Sequence, residues 1–166
     1  MPIAATTSIP CPLWRRLAAL VYDLLAVVAI VMVVGLLCQL ATGGQLIGTG
    51  ARVVIPVWYR PLQALVVAAY FIVSWRYGGQ TLGMRAWRLR LVRSDGAAVG
   101  FVPGALRVVV AAFPMAALAL APVWGMHMAL WSAGALWALW FALALFDRRR
   151  RTLHDLLAGT ELRRAA

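Results

Sequence analysis

Lysine is missing altogether. All sixteen basic residues of the 166-residue chain are arginine, and only five acids stand against them. A net charge of +11 would point to nucleic acid in a soluble domain. These arginines flank apolar runs instead of covering a polar domain. That pattern argues against nucleic acid and matches the basic loops that border membrane spans. Cysteine is scarce too. Cys11 and Cys38 fall at opposite ends of one expected helix, ~40 Å apart by helix rise, whereas a disulfide needs Cα atoms within ~7 Å. Neither stands at metal-ligand spacing from a second cysteine or a histidine, and no span carries a metal cluster or a nucleophile–base pair. The expectation is therefore no metal, no cofactor, no catalytic residue and no enzyme.

Charge is also absent where apolar residues accumulate. The chain is 64% hydrophobic, too apolar for an ordinary soluble domain. From Leu17 to Leu40 the one ionisable side chain expected to carry charge is Asp23. A run of ~20 apolar residues is what a helix needs to cross a bilayer core, and an acid inside such a run costs about 2.5–3.5 kcal/mol at the helix centre. Asp23 finds no local relief: its i±3 and i±4 neighbours are Leu20, Ala19, Ala26 and Val27, and Arg16 is ~10 Å down the axis. The partner has to come from another helix, a bound ion or trapped water. This apolar run is longer than a secretory h-region and contains an acid, so the first helix reads as a retained signal-anchor.

Four spans are expected, at about 13–40, 57–75, 103–121 and 123–146, after an extended tail over 1–12. Proline suits a first helical turn, so span two is placed from near Val57; the alternative is a start at Arg52 with a kink at Pro61. Span three contains Pro114 as a kink, and Pro122 marks the corner before span four. The polar segment 76–102 separates spans two and three. Within it Thr81–Trp87 suits a short interfacial helix, and Trp87–Val92 alternates apolar and basic residues with strand periodicity. Ser94-Asp95-Gly96 is a hairpin turn signal, so a short helix followed by a small hairpin is expected. After span four, Thr152 suits a helix N-cap with Asp155 at the third position. Residues 161–166 are read as a tail.

The arginines set the orientation. With four spans and both termini inside, only Arg52 and Arg60 fall outside; an odd count would strand either the Arg85–Arg93 cluster or the Arg148–Arg151 run on the wrong side. The fold class expected is an all-α membrane bundle of four helices, with both termini cytoplasmic.

Arg16 at the entrance of span one, Asp23 within it, Gly79-Gln80-Thr81-Leu82-Gly83-Met84-Arg85, Asp95-Gly96, Arg107 and Thr152-Leu153-His154-Asp155-Leu156-Leu157-Ala158-Gly159-Thr160 together resemble the RDD family of bacterial membrane proteins. That family is named for one arginine and two aspartates. The resemblance spans about Pro12–Thr160 and assigns those roles to Arg16, Asp23 and Asp155, with Asp147 the weaker alternative to Asp155. Where the family often carries lysine in its glycine motif, this chain has Met84-Arg85, which keeps one positive charge. The resemblance implies an inner-membrane location. It also implies transport of a small ion or solute, since some members are linked to sodium/proton antiport.

Two functions follow. In the first, Asp23 is an ion-coupling carboxylate, with Arg16, Arg107 and Asp155 as a cytoplasmic gate network. The competing reading of Asp23 is a structural pair, with Arg107 as its partner. In the second, the protein transports nothing. It binds a partner protein or anionic headgroups through Arg88, Arg90 and the run Arg148, Arg149, Arg150 and Arg151. Gly79, Gln80, Thr81, Gly83 and Arg85 read better as a turn capping a helix than as a phosphate loop, because the strand–loop–helix setting is lacking. His154 reads as a solvated imidazole on a capped helix end. Small residues along the spans allow close helix contact and a homo-oligomer.

Overall fold

The computed structural model describes residues 12–46, 55–147 and 151–165. The expectations for Cys11, Arg52 and Arg148–Arg150 lie outside those residues. Helix α1, Leu13–Ala41, is the unbroken apolar segment anticipated above. Its C-terminus is closed by Thr42, whose hydroxyl donates to the Cys38 carbonyl at 2.9 Å. Helix α2 runs Tyr59–Gly78, with Pro61 in its first turn, where a missing N–H costs nothing. Gly79 ends it with φ +67°, a left-handed cap that donates its N–H to the Trp75 carbonyl.

Helix α3, Leu82–Ala86, is the short helix anticipated after the glycine motif, and Thr81 is its N-cap. Strand β1, Leu89–Arg93, also forms, but the expected local hairpin does not. The turn at Asp95-Gly96 is present, with Gly96 at φ +84°, yet the chain beyond it turns Val99 into the core and enters helix α4, Phe101–Ala112. The partner of β1 is instead strand β2, Thr160–Arg164, antiparallel, with Leu91 opposite Leu162. Residues 161–164, expected to be tail, are thus part of the folded unit.

Pro114 lacks the N–H that α-helical pairing would use, and there the helix tightens into a 3₁₀ segment, Phe113–Leu120. Helix α5, Ala121–Trp124, continues it. The corner is at Gly125, φ +81°, not at Pro122, which sits in the first turn of α5. Helix α6 spans Met126–Phe146, and helix α7, Leu153–Leu157, completes the helices. Among the described residues three segments are long and apolar enough to cross a membrane: Leu13–Ala41, Phe101–Trp124 and Met126–Phe146. α2, with Arg60, Gln63, Ser74 and Arg76, is less apolar than these.

Burial is uneven. Ala19, Trp75, Met84, Leu89, Leu91, Val99 and Leu162 form one apolar cluster at the end of the bundle where α3, β1 and β2 meet α1 and α2. Trp87 adds edge-on contacts to Trp14 and Tyr22 of α1 at 5.5 and 6.2 Å. By contrast the long helices leave large side chains bare, with Leu25 64% and Met32 69% exposed. Apolar surface on that scale suits lipid contact, not water. The fold is thus a set of apolar helices carrying a small, well-packed cap.

Candidate functional site

Both acids singled out by the sequence lie beneath the cap. Asp23 is buried and takes three hydrogen bonds, all from uncharged donors. The Thr81 hydroxyl donates to Oδ2 at 2.6 Å; the Gly83 N–H and the Tyr70 hydroxyl donate to Oδ1 at 2.9 and 3.1 Å. Thr81 Oγ1 also accepts from the Met84 N–H at 3.2 Å, so one hydroxyl both caps α3 and ties it to α1. Tyr70 accepts from the Leu82 N–H at 3.1 Å. The missing partner of Asp23 is therefore the start of α3. Gly83 is required by packing: a Cβ there would collide with the Ala19 carbonyl and stand 2.9 Å from the Asp23 carboxyl carbon.

Asp155 is fully buried in α7 and holds a second cluster. Arg16 Nη1 donates to its Oδ2 at 2.9 Å, and Arg107 Nη1 to its Oδ1. Oδ2 also accepts the Thr152 N–H at 3.0 Å and the Thr152 hydroxyl at 2.8 Å, so the expected cap of α7 is present. Arg107 reaches Thr160 Oγ1 at 3.0 Å and lies over the Trp75 ring, 5.2 Å from its centroid. Arg107 thus pairs with Asp155 and not with Asp23. Of the two candidate aspartates it is Asp155 that meets Arg16. Asp147, partly exposed, accepts from the Arg151 backbone N–H at 2.8 Å and its guanidinium at 3.0 and 3.1 Å.

Electrostatically this cluster is unbalanced, with two guanidiniums on one carboxylate. Arg16 Nε and Nη2 are buried and meet no acceptor among the described residues. Burial alone would push the Asp155 carboxyl up; the charges of Arg107 and Arg16 outweigh it and hold the group well below the usual carboxylate range. His154, expected to be solvated, is instead packed edge-on to Phe141 at 6.0 Å. Burial, followed by the charge of Arg107, pushes its pKa down to about 3, so the ring is neutral near pH 7. The Thr152 hydroxyl proton is committed to Asp155, so His154 Nε2, 2.9 Å away, is the donor in that contact.

The remaining residues of the glycine motif serve local structure. Gly79 caps α2, and its carbonyl accepts from the Leu91 N–H at 2.7 Å. Gln80 donates to the Leu89 carbonyl at 2.7 Å. Arg85, Arg88 and Arg90 project from the cap as exposed cations. Sequence reasoning missed Tyr70 and Thr160; the signal for both was a lone polar side chain at the depth of an acid. Among the described residues no three His, Cys, Asp or Glu side chains stand close enough to hold a metal.

No curated protein and no solved structure matches the chain significantly. The sequence profile of the RDD family matches residues 10–159, a range that holds α1 to α7 and both buried aspartates. With three helices apolar enough for a bilayer and that match along nearly its whole length, the chain belongs to the RDD family.

Proposed function

We propose that the protein is a four-crossing inner-membrane module whose cytoplasmic cap engages anionic headgroups through exposed arginines, and that it is not itself a pump. Parity supports the four crossings. Arg16 meets Asp155, Asp23 meets Gly83, and β1 pairs with β2. Residues 16, 83, 89–93 and 155–164 therefore share one face. With α1 leading away from that face, a return through α2 despite its lower hydropathy and a second excursion through Phe101–Trp124 and α6 accounts for these contacts. The arginine bias assigns that face to the cytoplasm.

The observation that carries the reading is the disposition of charge. Every carboxylate oxygen of Asp23 and Asp155 is engaged by donors of the chain itself, whereas Arg85, Arg88 and Arg90 point outward. Each such arginine adds about 1 kcal/mol of attraction to an anionic leaflet. The test is lipid selectivity in mixed bilayers, read by spin-labelled anionic and zwitterionic lipids. Wild type is expected to enrich anionic lipid at its boundary, and Arg88→Gln with Arg90→Gln to reduce that enrichment. Equal selectivity in both would overturn the reading.

One observation favours a second reading, small-ion transport such as cation/proton antiport. Asp23 is held only by uncharged donors, so exchange of a proton or cation there orphans no buried arginine. A sodium- or potassium-driven pH change in proteoliposomes that vanishes in Asp23→Asn would establish that reading over the first.

A further inference from the structure

A pocket of about 380 Å³ opens between the last turns of α2 and the start of α3, a size within the ~300–1,000 Å³ of small-molecule sites. It shares no residue with the Asp155 cluster, and it adjoins the Asp23 cluster through Tyr70, which forms part of its wall. Arg85 stands at its mouth. Five acids exist in the chain, and each is engaged elsewhere: Asp23 by Thr81, Asp95 by Arg93, Asp147 by Arg151, Asp155 by Arg16 and Glu161 by Arg163. Arg85 pairs with none of them. Gly78 leaves room for it: a Cβ there would stand 3.3 Å from Arg85 Nη2, so the guanidinium lies directly over the end of α2. Ser74 and Tyr77 supply hydroxyls on the adjoining wall.

Val73, on the same face of α2 as Ser74 and Tyr77, and Leu82 make the apolar part of the lining; they are 51% and 58% exposed, so this part continues onto the bare outer face of α2. Tyr77, 83% exposed, stands one turn beyond Val73 in the position of an interfacial aromatic. A cation with no carboxylate paired to it among the described residues, two hydroxyls and a greasy wall leading toward the bilayer select an amphiphilic anion. A free phosphate would gain nothing from Val73 and Leu82. We propose that this pocket binds the phosphate of one anionic glycerophospholipid, Arg85 taking the phosphate oxygens and the Val73–Leu82 wall taking the acyl chain. The inference rests on the headgroup-binding reading above and adds to it a discrete, saturable site.

The experiment is native mass spectrometry of the full chain in neutral detergent, titrated with phosphatidylglycerol, counting bound lipids. Wild type is expected to retain one lipid after the others are stripped. Arg85→Gln should weaken that binding by about tenfold or more, the size of a lost charge-assisted hydrogen bond, and Arg85→Lys should recover most of it. Arg88→Gln with Arg90→Gln should leave the retained lipid in place while lowering boundary selectivity, so failure of the pocket and failure of the diffuse surface are told apart. Equal retention by wild type and a folded Arg85→Gln would overturn the proposal. So would competition by glycerol 3-phosphate as effective as the intact lipid, which would make the site one for a soluble phosphate.

Discussion

Arg16 and Arg107 bind opposite oxygens of the same carboxylate, and their replacement by methionine is expected to have unequal effects. Arg107 is fully used: it meets Asp155, Thr160 and the face of Trp75. Removing it strips a buried ion pair of its best-placed partner, and breaking such a pair costs about 3–5 kcal/mol. Arg16 makes one bond, to Asp155 Oδ2, worth about 1.5–3 kcal/mol for a charged donor. Against that loss, Arg16→Met also removes two buried nitrogens with no acceptor among the described residues, and each such orphan costs about 1–3 kcal/mol. It also relieves the repulsion between two guanidiniums and leaves Asp155 with Arg107 and both Thr152 donors. The expected result is that Arg16→Met unfolds within about 1 kcal/mol of wild type, or above it. The assay is equilibrium unfolding in mixed micelles with rising SDS, followed by tryptophan fluorescence, since Trp75 lies under Arg107. An Arg16→Met variant as unstable as Arg107→Met would refute the reasoning, and would mean that Nε and Nη2 of Arg16 are satisfied in the folded protein.

Gly83→Ala should lose about 1–3 kcal/mol by overpacking against the Ala19 backbone. Gly134→Ala, whose added methyl meets nothing within 4 Å, should be close to neutral in the same unfolding assay. Leu91→Ala, at a side chain 1% exposed, should cost about 2–5 kcal/mol and raise protease sensitivity of the cap. Acid should destabilise the fold through His154. Its folded pKa is about 3, so below the unfolded value of about 6.5 the unfolded chain takes up a proton that the folded chain refuses. Stability falls by at most about 1.4 kcal/mol per pH unit through that window. His154→Gln should flatten the curve between pH 6 and pH 4, checked by SDS midpoints at each pH. Asp155 acts lower still: its contribution is present above the unfolded carboxyl value and is lost only as pH falls through its depressed folded value.

Much of this was legible in the residues. The boundaries of α1 followed from apolar length, the cap at Thr152 from side-chain chemistry, the capping turn before α3 from the glycine motif, and the demand for a remote partner at Asp23 from helix geometry. The Arg16–Asp155 contact was inferable because both stand at the same end of spans. What was misread depends on tertiary choice. Strand alternation at Leu89–Leu91 was visible, but Asp95-Gly96 signalled a local hairpin. The real partner, Thr160–Arg164, has Leu162 as its one apolar side chain and so carries no strand pattern of its own. The residues alone left Arg107 between Asp23 and the group with Arg16 and Asp155, and the structure places it with the latter. Choosing between two acids at similar depth requires the lateral arrangement of the helices, which periodicity does not encode. His154 was misplaced because the ring of Phe141 covers it, a contact set by where α7 folds back.

The contact between Arg16 and Asp155 separates its two halves by 139 positions, and that gap is also an interval of time. At synthesis rates of ~5–20 residues per second, Arg16 waits ~7–28 s for its carboxylate. By its end every described helix long enough to cross the bilayer has been made, while β1 still lacks β2 and the cluster around Leu89 and Leu91 still lacks Leu162. A chain halted before residue 152 therefore differs from one that carries α7 and β2 less in its spans than in its cap, with a bare strand edge and two guanidiniums, Arg16 and Arg107, lacking their carboxylate. Arrival of α7 and β2 is thus written into the surface of the cap, as a strand edge that is bare before it and paired after it.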